Sequence, residues 1–379
     1  MTTSKHRAAV LDGFNRPLRM TEVATPAPGP CEVRVRVRAI ALNPFDRIVQ
    51  TLGGLVTPWV AFPAVLGSDV AGEVVAVGDQ CRRIQVGDRV LGLTLGADRA
   101  GNRAAEGAFQ EQVILRETCC CRLPAEVTLT QAAVLPLALA TAASGLFLRN
   151  QLGLDPNPAS AHVGYPTAPK GSVVVWGGAT SVGSVAIQLA RAAGYRVLST
   201  ASPHNHALLV GLGAAAVEDY REPRAVARLL EAAAGTTIAG VLAIGVGSGR
   251  ACLQLAAGRN PRPKVAMASM PCPLDSAPIG PQIGWRLATL PRLAGGMAIQ
   301  ALRAGILRVP TSAIWGTALV DDPLGAATFG TFAEAALRDG RLQLVPEPLI
   351  AGSRLEDIPE AMETLRRGVS ARKVVVQLG

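Results

Sequence analysis

Along the first hundred residues the apolar positions alternate. Val33, Val35 and Val37 are interleaved with Arg34, Arg36 and Arg38, a period of two that turns one apolar face inward and one charged face toward solvent. This predicts a strand over 31–38. Apolar runs at 70–77 and 89–95, set off by Gly78-Asp79 and Gly87-Asp88, predict two more. Many short strands of this kind imply a β-rich, barrel-like domain. From about Gly171 the rhythm changes, with short apolar runs at 173–176, 196–200, 215–218, 240–244 and 264–269 separated by segments of helical length. That alternation predicts a parallel sheet covered on both faces. Strand signals return at 342–350 and 373–377, and the last strand is expected to close the first domain. The fold class is α/β: a doubly wound parallel sheet over 138–344 and a β-rich domain made of 1–137 and 345–379. The Pro- and Ala-rich stretch 151–170 reads as a loop entering the second domain.

The sharpest local signal is Gly177-Gly178-Ala179-Thr180-Ser181-Val182-Gly183, which follows Val173-Val174-Val175-Trp176. It opens a segment in which Val182, Val185, Ala186, Leu189, Ala190 and Ala193 recur at i, i+3, i+4, i+7, i+8 and i+11, one face of a helix packed on a sheet. Gly194 ends that helix, and a second strand completes a strand–helix–strand unit. Small residues at such a turn let backbone N–H groups approach a pyrophosphate at the positive end of the helix. Gly178, Ala179, Thr180, Ser181, Val182 and Gly183 are therefore candidate dinucleotide-binding residues; a tight turn with no ligand is the alternative. An NAD site usually places an acid at the end of the second strand. Here Thr200-Ala201-Ser202-Pro203-His204-Asn205 stands instead. Without the acid there is no repulsion toward a 2′-phosphate, and Ser202, His204 and Asn205 supply hydrogen-bonding groups, so NADPH is the expected cofactor.

Composition narrows the setting. Of 379 residues 49% are apolar and 4% aromatic, so the core must be built from Ala, Val and Leu rather than from rings. The formal charge of +9 comes from scattered Arg residues without an aromatic-plus-basic motif or recognition helix. Nucleic acid is not expected as a partner. A basic surface suits a phosphorylated cofactor or an acidic carrier. Seven cysteines include the consecutive Cys119-Cys120-Cys121, too close for an ordinary disulfide framework. With no charged-then-apolar leader at the start, reduced thiols and a cytoplasmic location are expected. The uncharged stretch 127–148 is long enough to raise a membrane question, but Pro136, Thr141, Ser144 and much Ala favour a buried helical segment over a span.

Four motifs precede the nucleotide turn in a fixed order: Asn43-Pro44-Phe45-Asp46, then Leu66 to Val74 (LGSDVAGEV), then Val86-Gly87-Asp88-Arg89-Val90, then Glu106-Gly107-Ala108-Phe109-Gln110-Glu111. With the turn and Ser202-Pro203-His204-Asn205, they resemble the medium-chain dehydrogenase/reductase superfamily over nearly the whole chain. Within it the chain looks most like the zinc-independent quinone reductase and trans-acting enoyl reductase branch. The resemblance implies a GroES-like domain and a Rossmann domain, and places Tyr220 at the adenosine end; an ordinary strand-edge tyrosine is the alternative. Zinc-dependent members carry Cys and His ligands early in the chain and a His-Glu pair after a glycine. Here the stretch around Asn43 has neither, and Gly67 is followed by Ser68-Asp69. No metal is expected, since three consecutive cysteines cannot encircle a tetrahedral ion.

Reduction of an alkene conjugated to a carbonyl asks only for hydride at the β-carbon and a polar group for the enolate. By resemblance, Asn43 and Thr141 surround the nicotinamide and substrate as hydrogen-bonding and positioning residues. Their alternatives are a turn residue before Pro44 and a helix hydroxyl bonded to its own backbone. Some polyketide enoyl reductases have a Lys shortly after the Asn-Pro segment, where this chain has Arg47-Ile48. The expected activity is NADPH-dependent hydride transfer to an activated C=C bond or quinone. The substrate is a small-molecule enone, a quinone or an enoyl thioester, the last on an acyl carrier protein. A non-catalytic NADPH-binding sensor or structural protein is the reading from another class. No membrane partner is expected, and a monomer or homodimer fits equally. The apolar region 279–307 reads as pocket lining or as a plain core helix.

Overall fold

The computed structural model describes residues 4–156 and 169–379. Most of the expected loop at 151–170 lies outside them. Two compact units are present: residues 1–137, 274–283 and 320–379 form one, and 138–273 with 284–319 the other.

In the first unit the alternating valines do what their spacing dictates. The strand Glu32–Ala41 buries Val33, Val35 and Val37 to 2% exposure or less, while its arginines stay at least partly exposed. It pairs antiparallel with Asp69–Val77 on one side and Arg372–Gln377 on the other, and also with Gln112–Arg116. Arg89–Leu93 and Cys120–Arg122 extend the sheet past Asp69–Val77, and Glu347–Gly352 lies beyond the final strand. The last strand of the chain, Arg372–Gln377, thus lies inside this sheet. The strand expected over 342–350 instead runs from Glu347 to Gly352, with Pro348 tolerated on what is an edge strand of the sheet. A second, three-stranded sheet has Lys5–Leu11 at its centre, between Arg19–Ala24 and Ala64–Val65. One core fills this unit, from Leu11 and the strand valines to Phe109, Ile358 and Val374.

Two later segments belong to this unit although the sequence reading carried the nucleotide domain through to 344. Buried charge explains both. Arg47, 5% exposed, donates to the carbonyls of Asp275 at 2.8 Å and Ala277 at 3.1 Å and pairs with Glu363 at 2.8 Å, which fastens 274–283 to the helix Pro44–Val56. Glu334, 6% exposed, takes Arg83 and Arg122 as partners. A buried carboxylate without them would be prohibitively desolvated.

The second unit is a Rossmann fold. Its six parallel strands are Ser172–Trp176, Arg196–Thr200, Ala214–Glu218, Ile238–Ile244, Lys264–Ala268 and Thr311–Ala313. Counted along the chain, they lie in the order 3-2-1-4-5-6, the doubly wound arrangement. Val173, Val174, Val175, Val241 and Val265 are fully buried, as strands covered on both faces must be. The helix Ser181–Ala192 is buried from Gly183 to Ala190 without interruption, rather than on the single face that the valines and leucines marked. Ile187 on its other side is apolar, and Ser184 and Gln188 beside it hydrogen-bond within the helix and are buried as well. The uncharged stretch 127–148 forms two helices, Leu129–Ala132 and Pro136–Phe147, with 78% of its apolar window buried. The 25-residue helix Ile283–Leu307 is no core helix, since Ala304 is its buried residue and Ile283, Leu287, Leu302 and Ile306 are 64% exposed or more.

Phe109 anchors the first core. It is fully buried, its carbonyl accepts from Ala9 N and its N–H donates to Leu66 O, and its ring lies where a side chain on Gly67 would have to go. Phe109→Ala should lower unfolding stability by about 3–5 kcal/mol. Urea denaturation checks this, and a loss below about 1 kcal/mol would contradict the packing.

Candidate active site

The nucleotide turn is built by close approach. Gly177 has a φ of 89°, a left-handed conformation that only glycine adopts without strain. A Cβ on Gly183 would lie 2.2 Å from Gly177 O, and one on Gly178 would lie 2.2 Å from Ser199 Oγ. Thr180 caps the helix: its Oγ1 accepts from Gly183 N at 3.0 Å. Ser181 and Val182 begin the helix, and their amides have no intrahelical acceptor. Ala179, Ser181 and Val182 are half-buried and Thr180 is exposed, so the donors at this positive helix end face outward. They fit an anionic group such as a pyrophosphate.

At the neighbouring strand end, Thr200 Oγ1 accepts from Gly177 N at 3.0 Å, tying the second strand to the turn. Ser202 is half-buried, His204 is exposed and Asn205 is only 8% exposed; His204 and Asn205 follow Pro203 in a short 3-10 turn. Thr200 pairs with Glu218, which brings the Asp219-Tyr220-Arg221 loop alongside. Tyr220 is 46% exposed, and the Arg221 guanidinium lies 5.4 Å from its ring centroid. Arg221 Nε also donates to Asp219 at 3.1 Å. Arg221 thus follows the strand that pairs with the one ending at Thr200.

In the first unit Asn43 sits at the N-cap of the helix Pro44–Val56 within a buried polar cluster. Its backbone N–H donates to Asp46 Oδ2 at 2.8 Å, and its side-chain Nδ2 donates to Asp69 Oδ2 at 2.9 Å. Lys373 Nζ donates to Asn43 Oδ1 at 2.6 Å and pairs with Asp69 Oδ2 at 2.8 Å. Asp69 Oδ1 accepts from Leu137 N at 2.6 Å. Every member is enclosed: Asp69 is 0% exposed, Asp46 2%, Lys373 4%, Asn43 7% and Ser68 8%. Burial pushes the Asp46 carboxyl up to about 7, with Asp69 adding to the rise, while the Asn43 N–H, the Lys373 ammonium and the Ser68 hydroxyl oppose it. Sequence reasoning missed Lys373. The one available signal was a lysine opening an otherwise apolar strand.

Thr141, 8% exposed, lies on the helix Pro136–Phe147, and three residues on Ser144 Oγ is buried with no hydrogen-bond partner. Thr141 belongs to the second unit and Asn43 to the first. Cys119, Cys120 and Cys121 are free and buried, and burial holds all three thiols above their ordinary value, Cys119 at about 11. No group of three His, Cys, Asp or Glu side chains among the described residues is placed to hold a metal. At Asn43, Ser68 and Asp69 the donor set is an amide, a hydroxyl and a carboxylate already paired with an ammonium, which does not fit zinc.

A GroES-like β unit and a Rossmann unit with a Gly-rich turn define an oxidoreductase, and the chain belongs to the medium-chain dehydrogenase/reductase superfamily. Residues 29–125 match the alcohol dehydrogenase GroES-like domain. The chain is 40% identical over 377 residues to the dehydrogenase pigH of Monascus ruber, covering 98% of this chain and 99% of that one. With the trans-enoyl reductase himH of Aspergillus japonicus it shares 31% identity over 92% of this chain and 90% of that one. In fold it is similar to the quinone oxidoreductase of Coxiella burnetii, with a TM-score of 0.66 at 22% identity, over 99% of this chain and 100% of the other.

The buried Asp46 gives the first unit a pH signature. Its folded value lies above the unfolded one of 3.8, so between about pH 4 and 7 the folded state holds a proton that the unfolded state releases. Stability therefore falls as pH rises through that window. Asp46→Asn should remove this slope, so that urea midpoints compared at pH 5 and pH 8 drop less in the variant than in the parent. Equal drops would show that Asp46 is ionised throughout.

Proposed function

We propose that this protein is a zinc-independent, NADPH-dependent reductase of activated C=C bonds or quinones. The observation that carries the reading is Asn43, a buried amide clamped at both ends where zinc-dependent relatives carry metal ligands. Such a group stabilises negative charge on a carbonyl oxygen by hydrogen bonding, which suffices for conjugate reduction. Gly178, Ala179, Thr180, Ser181, Val182 and Gly183 would hold the pyrophosphate of the cofactor. Ser202, His204, Asn205 and Tyr220, with Arg221, would face its adenosine end. NADPH bound there supplies a hydride. Asn43 orients and stabilises the substrate oxygen, and Thr141 positions the substrate by its hydroxyl. The α-carbon takes its proton from solvent.

A second reading, a trans-acting enoyl reductase whose substrate is an enoyl thioester on an acyl carrier protein, is favoured by the likeness to himH. Turnover of a carrier-bound enoyl thioester but not of free enones would select it. Binding of NADPH with no consumption on any enone, quinone or thioester would replace both with a non-catalytic sensor.

The cofactor assignment rests on the missing acid after Thr200. NADPH should bind more tightly than NADH, and Ser202→Asp should reduce the ratio of affinities by about tenfold, or about 1.4 kcal/mol, through repulsion of the 2′-phosphate. Fluorescence titration of both nucleotides measures it. Equal affinities in the parent would reject the assignment.

For the chemistry, the decisive measurement is where the label goes. With NADPH deuterated on each face in turn, a reduced enone should carry deuterium at its β-carbon from one face only, and the α-hydrogen should come from solvent. Deuterium confined to the carbonyl carbon would identify a ketone reductase.

A further inference from the structure

We infer that Lys373 is the positioning residue of the site: its buried ammonium fixes the orientation of the Asn43 amide and strengthens that amide as a hydrogen-bond donor. The inference rests on the reductase reading for its catalytic consequence, but its structural content stands on the cluster alone. An ammonium has only donors and a carboxylate only acceptors. Lys373 at 2.6 Å from Asn43 Oδ1 and Asp69 at 2.9 Å from Nδ2 therefore admit one amide orientation. The flipped amide would set Nδ2 against the ammonium and Oδ1 against the carboxylate.

The same contacts change the amide electronically. A cation on Oδ1 draws electron density from the C–N unit and makes both Nδ2 protons better donors, an effect magnified where water is excluded. One Nδ2 proton is used by Asp69, and on the reductase reading the second is the one Asn43 would offer to a developing enolate oxygen. Lys373 thus polarises this amide through one hydrogen bond to its oxygen. Asp69 completes the arrangement: it neutralises the ammonium at 2.8 Å, and Leu137 N holds its other oxygen at 2.6 Å.

The test reads the amide and the reaction separately, on the full-length protein. With asparagine labelled by ¹⁵N and the Asn43 signal assigned by its absence in Asn43→Asp, the two Nδ2 protons of the parent should be widely separated in shift and exchange slowly. Lys373→Met should shift the Nδ2 resonances upfield, and Lys373→Arg, which keeps a cation, should restore most of the separation. In stopped-flow assays with an enone, Lys373→Met should slow hydride transfer by about a hundredfold while NADPH affinity stays within about twofold. Lys373→Arg should recover at least a tenth of the parent rate. Parent-like turnover in Lys373→Met would overturn the inference, as would parallel losses of rate, NADPH affinity and thermal midpoint that Lys373→Arg does not relieve. Should Lys373→Met fail to fold, the parent spectrum and Lys373→Arg decide: averaged, fast-exchanging Asn43 protons in the parent overturn the hold. Protected, separated protons with no turnover of any enone, quinone or thioester would uphold Lys373's grip on Asn43 and sink the reductase reading instead.

Discussion

A carboxylate with no exposure has to be neutralised where it stands, and Asp69 is the group around which the β-rich unit is arranged. Removing one partner from a buried ion pair typically costs 3–5 kcal/mol, because the remaining charge is stranded. The partners of Asp69 come from three parts of the chain: the N-cap at Asn43, the start of a helix at Leu137 and the final strand at Lys373. Strand register explains how they meet. Asp69 faces Ala41, and Ala41 faces Val375 on the next strand; Lys373, two residues before Val375, points to the same side of the sheet. A slip of one residue in the last strand would send the ammonium to the opposite face and leave Asp69 unpaired. The ion pair therefore selects the register as much as it stabilises the fold.

Local periodicity made the strands and the nucleotide turn readable. Val33, Val35 and Val37 alternate and are buried in alternation, and the glycines at 177, 178 and 183 stand where backbone contact leaves no room for a Cβ. What the sequence did not disclose depends on long-range pairing. Asn43 and Lys373 are 330 positions apart, and nothing near either marks the other. Arg47 stands where some polyketide enoyl reductases have a lysine, yet it is spent on the carbonyls of residues 275 and 277 and on Glu363. The segments 274–283 and 320–344 fall within the span read as the nucleotide domain, yet they belong to the first unit, where arginines elsewhere in the chain hold them. The helix after the turn was misread on its outward face for a related reason: burial of Ser184 and Gln188 follows from what surrounds the helix, which hydropathy cannot report.

The adenosine end illustrates how parallel pairing changes an electrostatic argument. Read linearly, Ser202-Pro203-His204-Asn205 lacks a cation, and the case for a 2′-phosphate rests on the absence of repulsion. In the sheet, Thr200 lies beside Glu218, and the loop that follows brings Arg221 stacked over Tyr220. A guanidinium held on a ring face keeps its charge while part of its hydration is replaced by the aromatic surface. Its Nε is engaged by Asp219, which restricts the side chain without removing the N–H groups of its terminal nitrogens. On the proposed reading, a 2′-phosphate would meet attraction from this guanidinium as well as lack of repulsion after Thr200.

The two halves of the proposed chemistry make different demands on rigidity. Phosphate binding at the turn uses backbone donors, whose positions are set once glycine geometry and the Thr180 cap are in place. Stabilising a charge that develops during reaction requires a side-chain donor already aimed before the charge appears, because reorganisation during the step would consume the advantage. An asparagine amide ordinarily rotates among several orientations. Clamped between an ammonium and a carboxylate, both buried and both held by neighbouring strands, the Asn43 amide has lost that freedom during folding, and its donor is fixed before any substrate arrives.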